Sequence, residues 1–409
     1  MLTEKRRVLY ISMMAPYDSV DHAGGKVHNF YLKYMHRSGR FDITLLSMCW
    51  KREEDKLDLN RYGIKNDIYV LDKNKIHRLI RKGISGFSYF NPFDKYGSLF
   101  LDYERHQYKR LIRRHYRKVK EKKEEKPDII ILQWTQMIFL IDFVKKLFPN
   151  TKVIAVEEDV SYLNYYRMIG LSKTTLNKSI AKYRYRNVKD LELKALKKAD
   201  IIVNNNHKDF VLLKNDGIEP AKLRELPIYF QSYESVNREK PSRDILFYGA
   251  MARPENYKSA LWFIENVMPL LSEENVRFVV VGSRPDNALL DKQSENVIVT
   301  GFVESVAPFF ERSLCLVAPL VLGAGVKVKI LEAMSSGIPV LTNDIGIEGI
   351  PAQDGLHFHL CIKPDDYARV IKKIITDGQT VNLEAKKFVK ESYDLPKALQ
   401  KLIDEDMCK

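Results

Sequence analysis

The sequence predicts an α/β protein with two domains, and three observations lead to this prediction. The 409 residues exceed what one hydrophobic core usually supports. Short apolar runs of strand length alternate with longer segments of helical periodicity along most of the chain. A polar segment that contains Pro241 separates two such series, as an interdomain linker would. Each series is therefore expected to form its own parallel sheet, with helices packed on it.

The composition is that of a soluble globular protein, with 45% hydrophobic and 29% charged residues. The best candidate for a membrane span, residues 129–144, is interrupted by Gln133, Gln136 and Asp142 and reads better as a buried strand followed by a helix. The N-terminal apolar run is too short for a signal peptide, so a cytoplasmic location is expected. The four cysteines are scattered without metal-binding spacing and are expected to be reduced thiols.

Charge is distributed unevenly between the two series. The net charge is +14, yet residues 1–240 hold 48 Lys and Arg against 30 Asp and Glu, whereas residues 241–409 hold 19 against 23. The two domains therefore differ in electrostatic character, and the first is the basic one.

The first domain begins with a predicted strand at residues 8–12 and a loop over residues 13–26. Gly24 and Gly25 close this loop, and apolar residues at helical spacing follow, so the glycine pair should lie at a helix N-terminus. Backbone N–H groups there could hold an anion, although a loop that only needs flexibility also uses paired glycines. Further strands are predicted at residues 41–48 and 67–71.

Residues 73–126 form the basic part of the first domain. They mix Lys and Arg with Tyr, Leu, Ile and Val, so helices here would have a cationic face and a narrow apolar face. Three explanations are open: a solvated helix with internal charge pairs, a nucleic-acid surface, or attraction to an anionic membrane, worth about 1 kcal/mol per basic residue near the surface. Nucleic acid is unfavoured because no recognition motif accompanies the charge, and the membrane is slightly preferred over the solvated helix.

Acidic residues follow a predicted strand at residues 152–156, namely Glu157, Glu158 and Asp159. Polar groups at the carboxyl end of a parallel strand lie at the ligand-binding edge of the sheet. These carboxylates could hold acceptor hydroxyl groups, one could have a raised pKa beside its like-charged neighbours, or they could bind a divalent cation. A solvated acidic loop explains them equally well.

Another predicted strand, at residues 201–203, leads to Asn206 and His207. Asn206 is expected to be the N-cap of the following helix. His207 is a candidate for contact with an acceptor, although a surface histidine in a polar loop is the commoner case.

The second domain begins with a predicted strand at residues 244–248, followed by Gly249, Arg253 and a helix at residues 259–271. Because a guanidinium can bind two phosphate oxygens at once, Arg253 is the preferred anion ligand of this loop. Strands are also predicted at residues 277–281 and 297–300, and the second of these ends in the turn Gly301, Phe302 and Val303.

The most informative stretch follows, and its order is strand, glycine loop, helix. A short apolar run at residues 314–320 leads through Gly323 and Gly325 to a helical segment at residues 326–335, which Gly337 ends as a C-cap before the strand at residues 338–341. Free N–H groups and a helix N-terminus at the carboxyl edge of a sheet favour an anionic ligand. Lys327 and Lys329 add positive charge there, and Glu332 could accept hydrogen bonds from hydroxyl groups.

This stretch resembles the donor-binding signature of the retaining GT-B glycosyltransferases of group 1, also called family 4. The signature is close to K-x-x-E-A-M-x-x-G-x-P-V and is matched by Lys329, Glu332, Ala333, Met334, Gly337, Pro339 and Val340. The resemblance implies a GT-B fold, in which two Rossmann-like domains face a central cleft and the last helix crosses back to the N-terminal domain. The acceptor domain would comprise residues 1–235, completed by 392–409, and the donor domain residues 240–391.

The resemblance also implies roles for individual residues. The loops that would hold the nucleotide sugar contain Gly24, Gly25, Gly249, Gly301, Phe302, Val303, Gly323, Ala324, Gly325 and Val326. Glu332 would bind ribose hydroxyl groups, and Arg253, Lys327 and Lys329 would stabilise the leaving diphosphate. The chain departs from the family at Ala324, where many relatives have a sugar-contacting glutamate, and at Glu158, where a histidine is expected.

The implied reaction moves a sugar from a nucleotide-diphosphate sugar to a lipid-linked or saccharide acceptor with retention, in surface polysaccharide or glycolipid assembly. The departing phosphate would take the acceptor proton, so neither a protein base nor an obligatory metal ion or other cofactor is expected. A lipid-linked acceptor would bring the basic domain to the anionic inner face of the membrane. Two alternatives remain: a nucleotide-sugar epimerase on the same fold, and a non-catalytic basic binding protein with a degenerate site.

Overall fold

A computed structural model describes residues 5–20, 23–90, 100, 102–172, 174–239, 241–322 and 326–408, with the backbone alone at residues 23, 85–90 and 171. The chain divides into two compact units. One comprises Met1–Pro227 together with Leu395–Lys409, and the other comprises Ile228–Asp394. The predicted division, after residue 235 and at residue 392, lies a few residues from these boundaries.

The first unit is built on a sheet of parallel strands. These are β1 (Arg6–Ser12), β2 (Phe41–Trp50), β3 (Lys65–Leu71), β4 (Ile129–Gln133), β5 (Lys152–Glu157), β6 (Ile201–Asn204) and β7 (Leu223–Glu225). Their spatial order is β3-β2-β1-β4-β5-β6-β7. Every residue of β4 is buried, which explains why its first four residues are all apolar instead of alternating.

Helices cover this sheet, and the first of them begins earlier than the sequence predicts. They are α1 (Ala23–Arg37), α2 (Lys75–Phe90), α3 (Asp102–Lys120), α4 (Thr135–Ile138), α5 (Ile141–Leu147), α6 (Tyr162–Leu171), α7 (Thr175–Leu196) and α8 (His207–Asn215). The loop expected over residues 13–26 is therefore shorter, because Gly24 and Gly25 belong to the first turn of α1. Asn206 is the N-cap of α8, as predicted, and its side chain accepts a hydrogen bond from the backbone N–H of Asp209 at 2.8 Å.

The second unit repeats this design on a smaller scale. Its strands are β8 (Asp244–Tyr248), β9 (Arg277–Val281), β10 (Val297–Gly301), β11 (Cys315–Ala318), β12 (Val340–Thr342) and β13 (His359–Leu360), in the spatial order β10-β9-β8-β11-β12-β13. Its helices are α9 (Pro254–Asn266), α10 (Asn287–Leu290), α11 (Ala307–Arg312), α12 (Val328–Ser336), α13 (Asp344–Ile347), α14 (Pro364–Asp377) and α15 (Leu383–Ser392). The predicted C-cap Gly337 is confirmed, with a left-handed φ of 80°.

Each sheet has one point at which the chain reverses the direction in which it adds strands. In the first unit this point lies between β1 and β4, and in the second it lies between β8 and β11. At such a point the loops that follow the two strands leave in opposite directions and open a crevice at the carboxyl edge, where ligands bind in open α/β sheets. The residues that follow β1, β4, β8 and β11 are therefore the candidates for ligand-binding sites.

The last segment of the chain packs on the first unit, as the predicted fold requires. Helix α16 (Leu395–Leu402) and the turn after it bury Leu395, Leu399, Ile403 and Met407. Asp406 accepts two hydrogen bonds from the Arg224 guanidinium, each 2.7 Å long. The α/β architecture with two parallel sheets is thus confirmed. In the described part of the chain, no helix is long and apolar enough to cross a membrane.

Candidate functional site

The strongest candidate site lies at the carboxyl edge of the second sheet, at its switch point. β8 ends at Tyr248 and is followed by Gly249, and β11, its neighbour in the sheet, ends at Ala318. The helices that come after these strands, α9 and α12, each begin with a basic residue in the capping position, Arg253 and Lys327. The sequence predicts basic groups in these two loops, and the sheet order makes the strands before them neighbours.

Gly249 and Gly282 allow the backbones of two neighbouring strand ends to approach closely. A Cβ atom at Gly282 would lie 1.7 Å from the carbonyl oxygen of Gly249, and one at Gly249 would lie 2.9 Å from both the Lys329 ammonium and the Asn256 amide nitrogen. A side chain at either position would therefore displace the groups that form the site. The predicted role of Gly249 in a ligand loop is compatible with this crowding.

Lys329 lies in the first turn of α12, and its ammonium points back towards Gly249. It donates a 2.8 Å hydrogen bond to Asn256 and lies 4.7 Å from the centre of the Phe247 ring. Desolvation is the largest influence on this group and lowers the pKa of Lys329 to about 7. An anion beside the ammonium would stabilise the charged form and raise this pKa again.

Glu332 lies one turn further along α12 and is held by Tyr248. The Tyr248 hydroxyl lies 2.5 Å from a carboxylate oxygen of Glu332 and 3.2 Å from the backbone carbonyl of Lys329. The other carboxylate oxygen accepts a 3.4 Å hydrogen bond from the backbone N–H of Gln231. These contacts orient the carboxylate before any ligand arrives, which reduces the entropy that binding must overcome.

The remaining predicted residues of this unit differ in accessibility. The Arg253 side chain is 66% exposed and lies 3.7 Å from Glu255, so it can turn towards a ligand, whereas the Lys327 side chain is largely buried and lies 3.8 Å from Glu348. Phe302 is 75% exposed beyond Gly301, and Val303 and Val326 pack against the core. Gly323, Ala324 and Gly325 lie outside the described residues.

A second polar cluster lies at the switch point of the first sheet. Gln133, the last residue of β4, donates a 2.5 Å hydrogen bond to Glu158, and its own amide oxygen accepts a 2.7 Å hydrogen bond from Tyr10 of β1. Trp134 comes next with φ at 74°, a left-handed conformation that costs a non-glycine residue about 1 to 3 kcal/mol. Gly24 lies against these groups, because a Cβ atom there would be 3.1 Å from Glu158 and 3.5 Å from the Trp134 ring.

Glu157, Glu158 and Asp159 have different surroundings in the structure. Glu157 is buried in the core of the unit, where Thr135 donates to it, and it offers no exposed surface to an acceptor. Glu158 points towards Gly24, and desolvation raises its pKa to about 8 despite the hydrogen bonds from Trp134 and Gln133. Asp159 is exposed. The strand ends at Glu157, and the two residues after it lie in a bend. The role of the three carboxylates in holding an acceptor stays a prediction.

His207 lies apart from this cluster, in the first turn of α8. Its Nδ1 is 3.0 Å from Glu225, its ring stacks on Phe210, and its side chain is exposed. Among the described residues, His207 makes its side-chain contacts with Glu225 and Phe210. Its predicted acceptor role stays a prediction.

The structure brings to these two edges several residues for which the sequence predicts no role. Tyr248 and Asn256 orient Glu332 and Lys329 in the second unit. In the first unit, Tyr31 donates a 3.0 Å hydrogen bond to Asn205, and His28 stacks on Tyr10 and lies edge-on to Trp134. A tyrosine as the last residue of a strand, directly before a glycine, was the available signal for Tyr248. The contacts of the others join distant parts of the chain.

Comparisons with known proteins agree with this architecture. Residues 242–377 match the family model described as Glycosyl transferases group 1. An uncharacterized 44.6 kDa protein in the cps region of Klebsiella pneumoniae is 24% identical over 177 residues, which are 40% of this chain and 46% of that protein. The match therefore spans about half the length of this relative.

Solved structures share the fold at low identity. The Anabaena protein Alr3699/HepE, in complex with UDP, is 12% identical with a TM-score of 0.63, covering 98% of this chain and all of that one. The lipopolysaccharide outer core galactosyltransferase WaaB is 15% identical with a TM-score of 0.60, covering 97% of this chain and 99% of that one. The chain therefore has the GT-B fold of these solved structures, and its residues 242–377 are similar to the Glycosyl transferases group 1 family.

Proposed function

We propose that the protein is a retaining glycosyltransferase that moves a sugar from a nucleotide-diphosphate sugar to a lipid-linked or saccharide acceptor, in surface polysaccharide or glycolipid assembly. The observation that carries the proposal is the pair Lys329 and Glu332 on one helix, α12, at the switch point of the second sheet. One side chain suits a diphosphate and the other suits hydroxyl groups, about one helical turn apart. This pairing fits the diphosphate and the ribose of a nucleoside diphosphate.

In the proposed reaction, the bond between the anomeric carbon of the sugar and the β-phosphate oxygen breaks, and negative charge develops on the departing diphosphate. Lys329, Lys327 and Arg253 would stabilise that charge together with the N-terminus of α12. The acceptor hydroxyl supplies the new bond, and its proton passes to the departing phosphate. Glu332 would hold the ribose hydroxyl groups and take no part in the proton transfer.

Three similar proteins support the choice of substrates. Structures of HepE contain UDP or UDP-glucose, which favours UDP-sugars as the first donors to test. WaaB is described as a lipopolysaccharide galactosyltransferase, and the Klebsiella relative is encoded in a cps region. Both descriptions favour an acceptor that belongs to a cell-surface glycan.

The Glu158 cluster is our candidate for the acceptor side. A carboxyl group with a pKa of about 8 is protonated at neutral pH, so it can donate a hydrogen bond to an acceptor oxygen as well as accept one. Gln133, Trp134 and Asn205 add further polar groups at the same sheet edge. This environment suits a neutral, hydroxyl-rich ligand better than an anion.

Donor hydrolysis with a panel of nucleotide sugars tests the proposal. We expect slow release of one nucleoside diphosphate with a single preferred donor. Glu332→Ala should weaken binding of that nucleotide sugar by about 1 to 3 kcal/mol, because bound ribose hydroxyls lose their acceptor. Tyr248→Phe should weaken it less, since the carboxylate remains but is no longer oriented.

Other outcomes would reject the proposal in recognisable ways. An epimerised sugar in the product mixture would identify the epimerase alternative. If no nucleotide sugar of the panel is bound or turned over, the alternative of a non-catalytic basic protein with a degenerate site is favoured. If Glu332→Ala binds the nucleotide sugar with the same titration curve as the unmodified protein, Glu332 does not bind the ribose. The hydrolysis assay tests the transfer reaction separately.

A further inference from the structure

We propose that helix α2 docks the first unit on an anionic lipid bilayer by inserting an exposed aliphatic row between the headgroups. Within residues 75–84, whose side chains the structure describes, four large aliphatic residues face solvent. Their exposed fractions are 67% for Ile76, 69% for Leu79, 49% for Ile80 and 45% for Ile84. The spacing of three, four and eight residues places all four on one face of the helix.

The opposite face of α2 attaches the helix to the unit, and that face is polar. The Arg81 guanidinium makes two hydrogen bonds of 2.9 Å to Asp72, lies 3.8 Å from Glu104 and stacks 4.9 Å from the Trp50 ring. His77, on the same side, is partly buried. A helix on a globular protein normally buries its apolar face and exposes its charges. Over residues 75–84 of α2 this arrangement is reversed, and the apolar row is exposed among the residues that the structure describes. Such a row suits a partner outside the unit.

Charge identifies the class of partner. No acidic residue occurs between residues 73 and 90. Lys75, Arg78 and Lys82 are exposed, and at helical spacing they occupy the arc of the surface next to the aliphatic row. An apolar row bordered by basic residues is the pattern of helices that lie in the plane of a membrane, where the cations contact anionic headgroups.

The neighbouring basic helix, α3, does not have this arrangement. Its apolar and aromatic residues Tyr103, Tyr108, Leu111 and Ile112 are buried in the unit. Several of its charges are paired, because Arg114 contacts Asp67 and Lys118 lies 3.1 Å from Glu124. The solvated-helix explanation therefore fits α3, and its remaining cations would add only long-range attraction. Insertion is a property of α2.

Vesicle flotation without any sugar donor tests this inference separately from the proposed reaction. We expect the full-length protein to float with phosphatidylcholine vesicles that contain phosphatidylglycerol and to remain largely unbound with pure phosphatidylcholine. The double variant Leu79→Ser with Ile80→Ser should lose about tenfold or more of its partitioning, because two inserted aliphatic side chains are removed. The matched control is Leu176→Ser, since Leu176 is 70% exposed on another helix, α7.

A substituted tryptophan gives a second measurement that does not depend on loss of binding. Leu79→Trp should add fluorescence that acyl-chain-brominated lipids quench, whereas Leu176→Trp should add fluorescence that they leave unchanged. The triple variant Lys75→Gln, Arg78→Gln, Lys82→Gln should remove the preference for anionic lipid and most of the salt dependence.

Three results would overturn the inference. The first is that the unmodified protein does not bind anionic vesicles. The second is that the double serine variant floats as well as the unmodified protein while Leu79→Trp is not quenched. The third is that gel filtration shows the aliphatic row to join two copies of the chain, with the double variant becoming monomeric and vesicle binding unaffected.

Discussion

The protonation state of Lys329 links a single residue to ligand binding. Its ammonium is desolvated between Asn256 and the Phe247 ring, and its pKa in the ligand-free protein is about 7. A bound diphosphate favours the charged lysine, so above pH 7 binding must take up a proton. The sign follows directly: affinity is highest below pH 7 and falls as the pH rises.

We therefore predict that the dissociation constant of a nucleoside diphosphate rises between about pH 7 and pH 9, by up to tenfold per pH unit. Titration calorimetry across this range measures it. Lys329→Arg should flatten the dependence, because a guanidinium stays charged. Equal affinity at pH 7 and pH 9 in the unmodified protein would show that Lys329 does not contact the diphosphate.

Glu192 offers a second prediction at the residue scale, in the core of the first unit. It is fully buried on α7, accepts a 2.9 Å hydrogen bond from the Ser161 N–H, and lies near the buried Glu157. Desolvation raises the pKa of Glu192 to about 8 and also raises the pKa of Glu157. A carboxyl group whose pKa is higher in the folded state stabilises the fold at low pH and loses that contribution as the pH rises.

The free energy of unfolding should therefore fall between about pH 4.5 and pH 8, by up to about 1.4 kcal/mol per pH unit from this group. Glu192→Gln should reduce that slope, because the amide stays neutral and still accepts the Ser161 hydrogen bond. Urea unfolding at several pH values measures the slope. Asp190→Asn is the control on the same helix, since that side chain is exposed; an identical slope in Glu192→Gln and the unmodified protein would contradict the prediction.

At the scale of elements, the contact between the ends of β8 and β9 determines the geometry of the candidate site in the second unit. Gly282 has no room for a Cβ atom, because the Gly249 carbonyl would be 1.7 Å away and a backbone atom cannot rotate aside. We expect Gly282→Ala to destabilise the second unit by about 3 kcal/mol. Thermal or urea unfolding followed by a probe in that unit measures the loss.

Gly378→Ala is the matched control for this prediction. Gly378 has a left-handed φ of 65° with open space around it, so alanine there carries the conformational cost without a clash. It should cost only about 1 kcal/mol. Equal losses for the two variants would show that the strand ends can move apart.

The packing of α2 shows why the sequence alone does not reveal which face of this helix is buried. Its period is helical and its apolar row is evident, and such a row is usually the buried one. Which face points inward depends on the contacts of Arg81 with Asp72, in the turn after β3, and with Trp50 at the end of β2. The sequence predicts the basic character of this region. The exposure of its apolar row to solvent follows only from the tertiary contacts.

At the scale of the whole molecule, the C-terminal segment belongs to the first unit. Asp406, whose side chain is nearly buried, pairs with Arg224 of β7, and Tyr34 of α1 donates a 3.0 Å hydrogen bond to the carbonyl of Pro396. The segment also buries several apolar side chains against that unit. Its loss should therefore affect the first unit and spare the second.

We predict that removal of residues 395–409 lowers hydrogen-exchange protection in α1, β6 and β7 and leaves the strands of the second unit protected. Asp406→Asn is the milder test and should cost about 1.5 to 3 kcal/mol, as expected for hydrogen bonds to a charged group. Lys397→Gln, a substitution elsewhere in the same segment, serves as the comparison. Equal loss of protection in both units would mean that they unfold together.

The sequence by itself determined the order of strands and helices, the caps at Asn206 and Gly337, and the signature around Lys329 and Glu332. These features depend on periodicity and on backbone preferences of residues a few positions apart, so they can be recognised locally. The tertiary structure decided which polar groups meet. It separated Glu157 from Glu158, placed Tyr248 on Glu332, desolvated Lys329 and turned the aliphatic row of α2 outward, because each of these depends on contacts between distant parts of the chain.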